Sequence, residues 1–237
     1  MQPISSAPGS LPIYLQVTEL LIRDIAAGRL IDGEKLAPER DMATELGIAV
    51  GTLRKALAEL QNRGLLERIH GSGNYVRAVA DPKSLYTMFR LELIGGGGLP
   101  TAEILTVDRL PKPPDLPSFG ESSDAHRIRR LRRLNGLAAA VEEIWLDGRF
   151  ADVLDREAMS ESLYLFYRTA LSLRIVRVED QVGLDHVPDW TPGIFGQRPG
   201  NPVPHVLRIS HDQNGERAEV SRTWFDHTIA RYVARLK

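Results

Sequence analysis

Apolar positions recur at helical spacing over the first 60 residues and at strand spacing over much of the remaining chain. Tyr14, Val17, Leu21 and Ile25 lie on one face of a helix predicted from Ile13 to Ala27, with Gly28 as its stop. Leu30 to Leu36 forms a connector. Pro38 suits a helical first turn, and Met42, Ala43 and Leu46 give a short second helix ending at Gly47. A third helix runs from about Val50 to Arg63. Leu53, Ala56, Leu57 and Leu60 are its apolar stripe, and Gly64 stops it. The period then changes. Leu65–Ile69 and Asn74–Arg77 read as two short strands around the glycine-rich tip His70-Gly71-Ser72-Gly73.

Beyond Asp81-Pro82, which breaks structure, the chain is richer in strands. Arg127–Leu134 and Ala138–Leu146 flank Asn135-Gly136, a strong hairpin signal. Asn214-Gly215 marks a second hairpin between His205–His211 and Ala218–Phe225. Ile175–Val187 is a further strand, Ser160–Leu173 a helix and Gly95–Gly98 a loop. The expected fold class is therefore α+β: an N-terminal helical unit with a hairpin over residues 1–78, a linker over 79–84, and an antiparallel-sheet domain over 85–237.

Three short helices followed by a hairpin is the order of a winged helix-turn-helix. Its third helix docks through an apolar face and shows polar side chains to base edges, and here Thr52, Arg54, Lys55 and Gln61 are those positions. His70 and Gly71 sit at the wing tip, where a missing side chain lets backbone approach a phosphate or the minor groove. Between Leu46 and Arg77 five basic residues face Glu59 and Glu67, a bias that an ordinary solvated surface also shows.

Composition narrows the alternatives. The 237 residues carry a formal charge of −1, 43% hydrophobic and 26% charged residues, ordinary values for a globular chain. With no cysteine, a disulfide framework, a thiolate nucleophile and a cysteine-ligated zinc are excluded. No apolar run approaches the roughly 20 residues that span a bilayer, and Met1–Ser10 has no basic-then-apolar signal pattern. The expectation is a cytoplasmic protein that needs no cofactor, metal or membrane.

The residues now carry a resemblance. Pro12-Ile13-Tyr14-Leu15-Gln16-Val17, Gly28-Arg29-Leu30, Gly33-Glu34-Lys35-Leu36, Glu39-Arg40, Leu46-Gly47-Ile48, Gly51–Leu57, Gly64–Glu67 and the wing His70–Val76 resemble the GntR family of bacterial regulators. The resemblance implies that Arg40, opening the second helix, contacts DNA, as do Thr52, Arg54 and Lys55 on the recognition helix and His70 and Gly71 on the wing. It also implies a homodimer on a palindromic operator. Ala49-Val50 stands where the family often has Ser-Arg, so a capping hydroxyl and an arginine are absent. Pro38 replaces a common serine.

The second domain resembles the HutC-type effector domain, called UTRA, through Arg130-Leu131-Arg132, Asn135-Gly136, Val141-Glu142, Ser162-Leu163-Tyr164, Asp212–Gly215, Glu219-Val220-Ser221 and Thr223-Trp224-Phe225. The implied fold is an antiparallel sheet flanked by helices, similar to chorismate lyase. The implied effector residues are Arg130, Arg132, Glu142, Ser162, Tyr164, Glu219 and Phe225. Independently of the family, Arg130 and Arg132 are two apart on a strand and share a face, a fork suited to a carboxylate or phosphate. The same pattern equally suits a structural network with Glu142 and Glu219. Arg127, Arg129 and Arg133 fall on the other face and are expected to be solvated.

Related sugar-phosphate sensors have a serine- or threonine-rich loop after the wing. Leu85–Leu93 stands in its place, where Thr87 or Arg90 would have to substitute, and this tilts the expectation from phosphate towards carboxylate. The implied function is a transcriptional regulator, a repressor released by a small organic anion. Two alternatives stand beside it. The sheet fold also hosts a lyase, although no nucleophile, base and orienting group stand out. An all-helical, metal-binding second domain would need clustered ligands, and His126, His186, His205, His211 and His227 are scattered.

Overall fold

The computed structural model describes residues 12–26, 29–77, 89–159 and 162–235. These fall into two compact units, one running to Glu92 with Gly96–Leu99 and the chain from Tyr232, the other comprising Leu93–Gly95 and Pro100–Arg231. The expected linker at 79–84, the stop at Gly28 and Thr87 lie outside the described residues.

The first unit contains helices α1 (Ile13–Ala26), α2 (Glu39–Leu46) and α3 (Val50–Asn62) and the hairpin of β1 (Leu66–Ile69) and β2 (Gly73–Val76). Val17, Leu21, Ile22 and Ile25 of α1 meet Ala43 of α2 and Leu53, Ala56, Leu57 and Leu60 of α3 in one core, which Leu66 and Val76 extend under the hairpin. Gly47 ends α2 in the left-handed region, its amide reaching back to the last turn. Neither Pro38 nor Ala49 offers a side-chain cap to α2 or α3, as the missing hydroxyls require. The connector is tied to the hairpin: Lys35 bridges Tyr75, and the Val76 amide donates to the Glu34 carbonyl at 2.8 Å.

The second unit is built on six antiparallel strands in the order β4-β5-β6-β9-β8-β7. They are β4 (Pro100–Pro111), β5 (Asp124–Leu134), β6 (Leu137–Asp147), β7 (Arg177–His186), β8 (Pro202–His211) and β9 (Arg217–Phe225). Short strands β3 (Leu91–Leu93) and β10 (Ala230–Tyr232) pair separately. α4 (Leu163–Ala170) begins at the N-cap Ser162 and is shorter than its apolar pattern suggests, because Leu171 caps it and Ser172 turns at φ 53°.

Asn135 and Gly136 both have positive φ, 49° and 81°, so the β5–β6 turn is the tight type that matches strand twist. Residues from β5 and β6 alternate between two cores. Ile128, Ile144 and Leu146 pack with Leu163, Phe166 and Tyr167 of α4. Leu131, Val141 and Trp224 pack with Phe195 and Val203 on the opposite face.

The register contains one decisive irregularity. Leu134 pairs with Leu137 and Arg133 with Ala138, but Arg132 pairs with Ala140, so Ala139 is an extra residue on β6. This bulge moves every later β6 side chain to the other face relative to β5.

The three-helix core permits a direct stability test. Leu60 is fully buried at the α3 contact. Leu60→Ala is expected to destabilise the first unit by about 2–5 kcal/mol, read as a lower denaturation midpoint of the helical circular dichroism signal. A loss below about 0.5 kcal/mol, the level of an ordinary surface substitution, would contradict that core.

Candidate DNA-binding face and effector site

α2, α3 and the hairpin bring two exposed arginines, Arg54 and Arg68, to one carboxylate. Glu39, in the first turn of α2, supplies it. Its carboxylate accepts from Arg54 Nε of α3 at 2.7 Å and lies 3.9 Å from Arg68 Nη2 of β1. The hydrogen bond from Arg54 holds Glu39 below the usual carboxylate range, with Arg68 adding to the effect. One carboxylate thus orients two guanidiniums that remain nearly two-thirds exposed, at 64% and 63%. Arg40 and His70 are exposed too, and Thr52 is half-buried. Lys55 leans the other way, with its ammonium 5.2 Å from the ring centroid of Tyr14 on α1. Gly71 turns at φ 73° with open space where a Cβ would lie, so within the chain its requirement is one of backbone conformation and not of clearance.

The second candidate site lies on the sheet face that carries α4. The bulge at Ala139 pairs Arg130 with Glu142, and both are buried. Arg130 Nε donates to Glu142 Oε2 at 2.5 Å, and Arg132 Nη2 donates to the same oxygen at 3.2 Å. Burial pushes the Glu142 carboxyl upward, but Arg130 and Arg132 outweigh it and hold the group below the usual range.

Glu219 has hydrogen-bond partners of its own, with the charge of Arg130 also acting on it. It accepts from Tyr167 at 2.7 Å and from the Ser210 hydroxyl at 2.9 Å, and the Tyr164 hydroxyl lies 3.3 Å from it. Burial raises its carboxyl above the usual range, only partly offset by Tyr167 and Ser210. Phe225 pairs with Ala140, itself opposite Arg132, so its ring shares the same face. Ser162 caps α4, accepting from the Leu165 amide at 3.4 Å.

The structure therefore gathers Arg130, Arg132 and Glu142 into one contact group and Tyr164 and Glu219 into another. It adds residues that the sequence pattern did not single out. Arg208 of β8 donates to Asp180 of β7 through two atoms, at 2.6 and 2.7 Å, and meets Tyr164. Tyr167 and Ser210 complete the setting of Glu219. A signal for two of these was present: a two-residue turn at Asn214-Gly215 counts back to Ser210 opposite Glu219 and Arg208 opposite Ser221, the pairing observed. The turn itself differs from that simple form. Only Gly215 has positive φ, at 84°, and the Asp212 carboxylate accepts from the Asn214 and Glu216 amides.

The arginines of the other face correct the expectation of a solvated row. Arg127 pairs with Asp108, Arg129 with Glu143, and Arg133 with Glu103, and their side chains are only 20–25% exposed. Tryptophans explain the burial of two of them: Arg129 lies 4.7 Å over the Trp190 ring and Arg127 5.8 Å over Trp145.

A winged helix-turn-helix followed by a sheet domain with buried charged residues defines a two-part DNA-binding regulator. Comparison with known proteins carries this further. Residues 13–76 match the model of the gntR family of bacterial regulatory proteins, and residues 96–231 match that of the UTRA domain. The chain is 67% identical over 229 residues to the HTH-type transcriptional regulator SmoD of Agrobacterium fabrum, covering 97% of this chain and 98% of that one. It is 27% identical over 234 residues to the HTH-type transcriptional repressor NagR of Bacillus subtilis, covering 95% and 96%. Its fold is like that of the possible transcriptional regulator YydK from Bacillus subtilis, with a TM-score of 0.52 at 19% identity, over 96% of this chain and all of that one.

The chain belongs to the GntR family, in its UTRA-bearing, HutC-type subgroup, and is a DNA-binding transcriptional regulator. Its relatives are regulators, which removes the lyase alternative. Among the described residues no helix is long and apolar enough to cross a membrane.

The trio around Glu142 makes a prediction about pH. A carboxyl whose folded value lies below its unfolded value adds stability that is fully present above about pH 4.3 and is lost as pH falls through the folded value. Glu142→Gln is expected to cost about 3–5 kcal/mol near pH 7, because it leaves two buried guanidiniums without their counter-charge. The gap to the wild type should narrow below about pH 4. Urea melts at several pH values measure it, and a gap independent of pH would show that the charge of Glu142 is not what holds the group.

Proposed function

We propose that this regulator is a homodimer that represses transcription from a palindromic operator and is released by a small organic anion bound at Arg130 and Arg132. The observation that carries the reading is the buried contact group of Arg130, Arg132 and Glu142. Two guanidiniums on one sheet face form a fork for a planar anion, and lysine would not reproduce that geometry. Glu142 already occupies the fork, so an effector binds by sharing or displacing a carboxylate. A ligand that itself carries an anionic group meets that demand. Glu219, set by Tyr164, Tyr167 and Ser210, reads a hydroxyl or amine at the other end of the molecule. A carboxylate fits this arrangement better than a phosphate.

On DNA, Arg40, Thr52, Arg54 and the wing residues His70 and Gly71 make the contacts, with Arg54 and Arg68 aimed by Glu39. Lys55 is the weakest member of this set, because its ammonium rests on Tyr14. A two-fold protein matches a two-fold operator, which supports the dimer. Effector and operator then affect each other reciprocally, typically by about 1–3 kcal/mol.

Two experiments test the two halves. Arg54 is exposed and held by one ion pair, so Arg54→Ala should leave the fold intact while weakening operator binding by about 1–3 kcal/mol. Gel shifts on a genomic operator read this, and unchanged affinity would remove the recognition-helix assignment. Gly71→Asn should weaken binding with little loss of stability, since asparagine tolerates the left-handed conformation that valine would strain. For the effector, a thermal-shift screen of acidic metabolites should find a stabiliser, a ligand at about 100 times its dissociation constant adding roughly 2.7 kcal/mol. Arg132→Ala should abolish that shift and keep DNA binding. A neutral hit indifferent to Arg130 and Arg132 would assign the pair to structure alone.

A further inference from the structure

The six-stranded sheet has two edges, and they are built differently. β4 begins and ends in proline, at Pro100 and Pro111, and its ladder to β5 is broken between Ile104 and Thr106. Its charged residues are tied across to other elements, with Arg109 bound to Asp124 and to the backbone of Ala151 and Asp152. Proline, irregularity and charge are the devices that keep a sheet edge from pairing with another chain.

β7 lacks the first two, and its charges leave its middle bare. It runs ten residues without proline or lysine, and its register with β8 is unbroken from Arg177 to His186. Its carboxylates are occupied within the subunit: Asp180 holds Arg208, Asp185 accepts from Trp224 Nε1 at 3.0 Å, and Glu179 accepts from Gln181. The stretch from Gln181 to Leu184 is uncharged. Within it Val182 is 55% and Leu184 79% exposed, both among the large apolar side chains left open to solvent. Both are even-numbered, so both project from the same face as Asp180 and Arg208.

We propose that β7 is the seam of the homodimer, pairing antiparallel with β7 of a second copy about a two-fold axis at Gly183, so that two six-stranded sheets join into one. The inference rests on the homodimer reading above and goes beyond it by naming the strand and register. The occupant is a second copy because the strand is self-complementary about that point. Val182 faces the partner subunit's Leu184 and Leu184 faces the partner subunit's Val182. Asp180 falls opposite the partner subunit's His186, and Gln181 opposite the partner subunit's Asp185. Moving the axis to Val182 sets Glu179 against the partner subunit's Asp185, a like-charge pair that costs rather than contributes. Centring on a residue also keeps the same sheet face uppermost in both copies, because directly opposed residues of an antiparallel pair point the same way. The seam lies one strand from Arg208, so the Asp180–Arg208 pair joins the dimer edge to the setting of Tyr164 and Glu219.

The absence of cysteine from the chain makes the test clean. Gly183 has open space at its Cβ position, so Gly183→Cys fits without disturbance. At a two-fold axis it meets itself at a Cα separation of about 4.5–5.5 Å, within disulfide range. Mild oxidation of the full-length protein should give a covalent dimer from Gly183→Cys and none from Glu103→Cys on the opposite edge. Separately, V182K/L184K turns two symmetric apolar pairs into like-charge pairs. It should raise the dimer dissociation constant by about 100-fold in sedimentation velocity, with the circular dichroism spectrum unchanged. If the wild type is dimeric but V182K/L184K dimerises equally well, or if Glu103→Cys cross-links and Gly183→Cys does not, the seam is elsewhere and the homodimer reading survives. A wild type that stays monomeric at micromolar concentration overturns both.

Discussion

One extra residue in β6 decides which charged side chains of the sheet domain meet. The tight turn at Asn135-Gly136 starts the β5–β6 ladder with Leu134 opposite Leu137. Carried on without interruption, that register would put Arg130 opposite Val141, and Glu142 would share a face with Arg129 and Leu131. The bulge at Ala139 shifts the ladder by one, and Arg130 meets Glu142. Three consecutive alanines, Ala138 to Ala140, make the irregularity cheap, since no large side chain has to find a place on the wrong face. The same shift sends Val141 into the core with Leu131 and Trp224. The charged cluster and the apolar core of this sheet are therefore two consequences of one irregularity.

Much of this architecture can be read from local pattern. The helices α1, α2 and α3 follow from their apolar spacing and glycine stops, and the two Asn-Gly pairs locate both hairpins. What resists reading is informative. β4 is invisible to an alternation test, because it lies at an edge, is bounded by prolines and changes phase between Ile104 and Thr106. β3 and β10 are three residues each, too short to carry a period. The partnership of Arg130, Arg132 and Glu142 is legible only through family likeness. A register counted from the turn gives the wrong face for Glu142, and a bulge leaves no mark in hydropathy. Arg208 and Ser210 are the reverse case, since the count from Asn214-Gly215 does place them beside Ser221 and Glu219.

The two units use charge in opposite regimes. On α2, α3 and the hairpin, Arg54 and Arg68 stay largely in water, and Glu39 orients them through contacts that contribute little stability, about 0–1 kcal/mol at an exposed pair. Such a surface can exchange one partner for another at low cost, which suits a DNA contact. In the sheet domain the same residue types are buried. Removing one member there exposes the desolvation cost of those that remain, several kcal/mol. A buried ion group is weak support for stability as such, since well-packed apolar residues would serve as well. Its place at the α4 face is what the proposed effector site uses as binding chemistry.

On the proposed effector reading, occupation of the arginine fork by Glu142 also sets a threshold for the ligand. A ligand shifts an equilibrium only by the difference in its affinity for the two states. Here one carboxylate already faces both guanidiniums, so the group is half neutralised and carries one net positive charge. A weak hydrogen-bonding group gains nothing by displacing a carboxylate that both arginines hold. An anion gains because it restores the charge balance that displacement would otherwise destroy, and the displaced Glu142 is left to accept from whatever hydroxyl or amine the ligand carries beside its anionic group. On the proposed reading selectivity needs no separate device: the carboxylate that holds both arginines is the one that rejects uncharged molecules and reads the neighbouring donor on charged ones.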